Sequence, residues 1–225
     1  MSDLMVLQPA ILKMLGADIL NTLYMTITST VLGYVIGLPM GVLLVVTARN
    51  GLRPNAVVYK ILDILINITR SIPFLILLIL VLPLTRVLVG KSYGPTATIV
   101  PLTLAAAPFI ARMVESSLLE VDKGVIEAAQ SMGAGNFTIV TKVMIGEART
   151  SLLVGATIAL GTILGYSAMA GVVGGGGLGA TAINYGYYRY QTDIMLVTVV
   201  LLVLLVQIMQ WAGTRLAKKL DRRQS

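Results

Sequence analysis

The chain contains no cysteine and no histidine among its 225 residues. Disulfides and thiolate metal sites are therefore excluded, and the commonest proton shuttle and imidazole ligand are missing as well. Charge is scarce. Only 12% of residues are Asp, Glu, Lys or Arg, against roughly 25% in soluble chains. Aromatic residues make up 6%, and none interleaves with the five basic residues clustered in the last eleven positions, so that tail is not built to stack on nucleic-acid bases. An intramembrane enzyme would need a catalytic constellation, and this composition supplies none.

What the chain has is long uncharged apolar runs. It is 56% hydrophobic, with a mean hydropathy of +0.88. About 20 residues of helix cross about 30 Å of hydrocarbon. The reading is an all-α polytopic membrane protein, with residues 1–225 forming one transmembrane domain of five spans. The first lies within Ile19–Ala48, with a kink expected at Gly37-Leu-Pro-Met-Gly41 because Pro39 cannot donate to the helix ladder. The second covers about Ile61–Leu82 and is interrupted by Arg70-Ser-Ile-Pro73. The others cover Gly94–Ala111, Ser151–Val173 and Ile194–Ala212. The first run is too long for a signal-peptide core and no basic region precedes it, so no cleavable signal is expected.

Five spans put the termini on opposite sides. With the C-terminal tail inside, 12 basic residues lie inside and 4 outside, Arg70 being left unassigned. The positive-inside rule then predicts an outer N-terminus, a cytoplasmic C-terminus and a cytoplasmic segment at about 112–149.

That segment is polar and sits between the third and fourth spans. Asp122 can cap a helix, and Val125, Ile126, Ala129 and Met132 fall on one face at helical spacing. Gly133 and Gly135 stop the helix, and Asn136 can cap a second one. Two uses fit such a helix. It docks in a partner's groove, or it rests on lipid as an interfacial helix. Asp122 and Glu127 are poorly placed against an anionic leaflet, which favours the partner.

Two motifs suggest nucleotide binding and fail. Gly90-Lys-Ser92 ends like a phosphate-binding loop, but Thr85 stands where the first glycine belongs. Gly174-Gly-Gly-Gly-Leu-Gly179 has neither the strand–helix context nor the acidic residue of a dinucleotide site. It reads better as a turn ending the fourth span. Gly33, Gly37 and Gly41, and likewise Gly161 and Gly165, put small residues on one helix face, which allows close helix packing, expected within the subunit, with a dimer seam as the alternative. Asp63, Asn67 and Arg70 share one side of the second span. They lie either at membrane depth, where charge tends to be functional, or at the interface, paired. Tyr166, Ser167 and Met169 fall within one turn of the fourth span, as gate residues or as ordinary packing.

Glu127-Ala-Ala-Gln-Ser-Met-Gly133 resembles the "EAA" loop of ATP-binding-cassette importer permeases. Val143, Ile145 and Gly146 follow at the family's spacing, with Gly146 in place of its proline. Within that family, Arg70–Leu78, Ala106–Glu115, Gly165–Gly171 and Gly174–Gly179 resemble the methionine-importer permeases. The resemblance implies ATPase coupling through Glu127, Ala128, Ala129, Met132 and Gly133, and a constriction at Tyr166, Ser167 and Met169. It also implies a homodimer in the bacterial inner membrane, in contact with lipid. Two copies of an ATP-binding subunit would carry ATP and Mg, leaving this chain without a cofactor. An external substrate-binding lipoprotein would deliver methionine. A permease for another amino acid, or a secondary transporter, are the alternatives.

Overall fold

The computed structural model describes residues 8–220. Helix α1, Pro9–Thr47, starts at a proline whose missing N–H is unneeded in a first turn. It runs unbroken through Pro39, so the expected kink does not divide it. Glycines explain how it is held. Gly33, Gly37 and Gly41 lie against α4, Pro95–Leu119. A Cβ on Gly37 would stand 2.5 Å from the Ala107 carbonyl oxygen, and one on Gly41 2.6 Å from that of Ala111. Two backbones at this distance gain contact along their whole length, which is the expected within-subunit packing.

The second span needs correction. It is two helices, α2 (Ala56–Ser71) and α3 (Phe74–Val89), bent by 108°. Pro73 has no N–H and biases Ile72 out of the helical region, and Ile72 is extended. Asn55 caps α2, its Oδ1 accepting from the Val57 and Val58 amides at 3.2 and 3.1 Å. Four helices are long and apolar enough to cross a membrane, or five if the bent pair counts as one span.

Helix α4 runs eight residues past the expected end of the third span and carries Arg112 within it. The polar segment that follows consists of α5 (Lys123–Ser131), α6 (Asn136–Thr138), a π-helical turn (Ile139–Met144) and α7 (Ile145–Glu147). Helix α8, Arg149–Ala170, returns through the bundle and ends in a 3₁₀ turn, Gly171–Val173. Short α9 (Gly177–Thr181) and a second π-helical turn (Ala182–Tyr187) lead to α10, Thr192–Leu220.

The core runs along α4. Leu102, Ala106, Ile110, Val114 and Leu118 are buried on it and pack with Met25, Phe74, Ile163 and Met144. At one end of the bundle the glycine turn is pinned from two sides. Thr22 Oγ1 on α1 accepts from the Leu178 amide at 2.9 Å, Asp18 accepts from Thr181, and the Gly94 amide donates to the Gly174 carbonyl at 2.9 Å. Gly174, Gly176 and Gly177 hold φ of +79°, +84° and +70°, which side-chain-bearing residues rarely adopt. The opposite end carries the polar segment.

Candidate coupling segment and gate

Asp122 caps α5 as expected, its Oδ1 accepting from the Gly124 amide at 2.7 Å. Gly133 ends the helix at φ +77°. The Ala134 amide donates to the Ala129 carbonyl at 3.0 Å and the Gly133 amide to that of Gln130 at 2.9 Å. This paired 6→1 and 5→2 pattern is a Schellman stop. The second cap differs from expectation. Gly135 occupies the cap position, and Asn136 is the first helical residue.

The expected apolar face also splits. Ala129 is buried and Ile126 half-buried, both packed on the subunit's own core beside Val121, Ile139 and Met144. Glu127 and Ala128 face outward, and Met132 is 80% exposed. The sequence reading missed Phe137, which is 82% exposed. Its signal was a bulky aromatic in a polar segment, one of three phenylalanines in the chain. The outward surface thus offers a carboxylate and two large apolar side chains, on a segment whose inner face is fixed to the bundle.

Two grooves lie at this end of the bundle. One of about 560 Å³ lies between Arg49–Leu52 and the face bearing Ile126, Glu127 and Gln130. The other, about 530 Å³, lies between Glu120 and the Lys142–Ser151 stretch. Ser151 Oγ donates to Ser117 Oγ at 3.0 Å, tying α8 to α4 beside the second groove.

The three gate candidates separate. Tyr166 is half-buried and stacks on Phe74, the first residue after the bend, with ring centroids 4.6 Å apart and planes within 3°. Ser167 is buried, and its hydroxyl donates to the Leu164 carbonyl at 2.7 Å. It faces the core rather than open space. Met169 is 47% exposed.

Asp63 and Asn67 are paired, as the second of their two readings had it, but with Arg112 rather than Arg70. The Arg112 guanidinium donates to Asp63, to Asn67 Oδ1 at 2.9 Å and to Glu115 Oε2 at 2.6 Å. Arg70 is exposed and makes no ion pair among the described residues. Nor do the described residues bring three potential metal ligands together.

Residues 33–222 match the profile of the family described as binding-protein-dependent transport system inner membrane component. The chain belongs to this family. It is a membrane permease component, built on apolar helices that carry no nucleotide-binding motif. The probable D-methionine transport system permease protein MetI of Vibrio cholerae is 49% identical over 203 residues, which are 90% of each chain. The D-methionine transport system permease protein MetI of Escherichia coli K12 is 54% identical over 151 residues, 67% of this chain and 70% of that one. The permease fold is also that of a chain in the inward-facing MetNI methionine ABC transporter, at TM-score 0.95 and 49% identity over 96% of this chain and 100% of that chain. An amino acid ABC transporter crystallised with histidines shares the fold at TM-score 0.80 and 17% identity.

Proposed function

We propose that this chain is the translocating subunit of an ATP-driven importer for methionine or a close analogue. The observation that carries the substrate is the 49% identity, over nine-tenths of both chains, to a permease named for D-methionine transport. The mechanism is supported by the construction of α5. Its outer surface presents Glu127, Ala128 and Met132, while its inner surface is locked into the bundle by Ala129.

In this reading the N-terminus lies outside and the tail and α5 lie in the cytoplasm, as the basic residues favour. Two permease copies sit on two ATP-binding subunits, which hold ATP and Mg. An external binding lipoprotein delivers substrate at the glycine-turn end. Closure of the ATPase pair pushes on Glu127, Met132 and Phe137. Because Ala129, Ile139 and Met144 fix that surface to the core, the push moves α4 and α8 instead of only the loop. Gly133 ends α5 sharply and so sets the angle at which Met132 and Phe137 meet the partner. Tyr166 and Met169 line the constriction, where a flexible thioether packs against a thioether substrate. Ser167 shapes the helix behind them.

The test is uptake of labelled methionine in cells lacking their own importers, with this chain co-expressed with its ATPase and binding protein. Uptake displaced by methionine and not by histidine or glutamine is expected. Uptake displaced by another amino acid would overturn the substrate while leaving the transport class.

A further inference from the structure

The ionic cluster on α4 lies outside the coupling segment and outside the gate. Arg112 forks between two helices. One side of the guanidinium holds Asp63 and Asn67 of α2, the other Glu115 of its own helix. Asn67 Nδ2 also donates to Asp63 Oδ1 at 3.2 Å, so the two α2 groups form one acceptor surface. The Arg112–Asp63 pair keeps part of its surface in contact with solvent, 20% and 32% of the two side chains, and such partly exposed ion pairs are weak as pure stability devices.

Apolar contact alone holds α2 weakly. Ile66 is its single buried residue, wedged between Leu44 and Ala111, while Ile61, Ile64, Leu65 and Ile68 are exposed. Its far end joins α3 only through the extended Ile72 and Pro73, at the 108° bend. Phe74 follows at once and is stacked on Tyr166. Helix α2 is therefore an arm. It has a polar tether near the end of α4 that leads into α5, and a pivot that rests on the gate candidate.

We infer that Arg112 is a positioning residue for transport. It makes α2 follow α4 when the coupling segment moves, and α2 turns about Ile72–Pro73 against the Phe74–Tyr166 stack. This rests on the ATP-driven import reading above. Without the tether α4 moves and α2 lags, so ATP is spent without moving substrate.

The experiment uses the whole complex, permease with ATPase, in proteoliposomes with the binding protein supplied. It measures labelled methionine transported per ATP hydrolysed. Asp63→Asn keeps the Arg112–Glu115 pair and the arm's packing, which guards against misfolding. We expect the ratio to fall about fivefold, the scale of a single contact on a coupling path, with complex yield and ATP hydrolysis retained. Combining Asp63→Arg with Arg112→Asp restores the tether with reversed polarity and should recover most of the ratio. A purely structural role would lower yield, hydrolysis and transport together and leave the ratio unchanged. An unchanged ratio in Asp63→Asn, or a double variant no better than Arg112→Asp alone, would overturn the inference. Wild-type vesicles separate the two levels: no ATP-dependent methionine uptake by wild type overturns the functional reading itself and this inference with it.

Discussion

Replacing Gly37 by alanine adds one methyl group where the structure has no room for it. The new Cβ would meet the Ala107 carbonyl oxygen at 2.5 Å and Ile110 Cβ at 3.0 Å, whereas ordinary contact starts near 3.4 Å. Neither neighbour is the loose end of a flexible side chain. The helices must part by roughly an ångström, which also loosens the contacts at Gly33 and Gly41. Overpacking of this kind costs about 1–3 kcal/mol. For a chain of this size that lowers the melting midpoint by about 2–12 °C, at 2–4 °C per kcal/mol. The assay is thermal unfolding of the purified complex in detergent, followed by tryptophan fluorescence or size-exclusion. Gly165→Ala is the matched control, because a Cβ there meets nothing within 4 Å. It should be neutral or raise the midpoint, since alanine favours helix over glycine by about 1 kcal/mol. Equal shifts in the two variants would refute the close-packing argument.

Other outcomes follow from the same geometry. Glu127→Lys should abolish uptake while membrane insertion, judged by fractionation and yield, is unchanged; wild-type uptake would remove α5 from the coupling surface. Phe137→Ala should weaken binding of the ATPase by about tenfold or more in a pull-down titration, as loss of an exposed aromatic anchor at a hot spot does. Thr22→Val should destabilise the glycine-turn end by about 1–3 kcal/mol, because the buried Leu178 amide loses its acceptor, and Thr22→Ser should retain most of the stability in the same melting assay.

How much of this was legible beforehand varies with the range of the interaction. Short-range chemistry read through well. Asp122 caps, Gly133 stops, and the Gly33–Gly41 stripe packs within the subunit. Each rests on backbone or spacing rules that act within a few residues. The bend was only half visible. Pro73 marked an interruption, but nothing local says whether a proline kinks a span or folds it back by 108°. Arg112 reads as loop from the sequence because its partners, Asp63 and Asn67, lie 49 and 45 residues away, and no local pattern links them. The inward face of α5 is hidden from the sequence for a related reason. Helical spacing groups Val125, Ile126, Ala129 and Met132, but which edge of that group packs inward depends on where Ile139 and Met144 return. Ser167 shares its turn with Tyr166 and Met169, yet a one-residue step on a helix carries it to the core.

ATP-driven import is tested most directly by methionine accumulation in sealed proteoliposomes that contain this permease and its ATPase, with the binding protein outside and ATP enclosed. The account predicts accumulation that requires hydrolysable ATP and is indifferent to sodium or proton gradients. Accumulation that follows an ion gradient with no nucleotide present would contradict it and make the protein a secondary transporter.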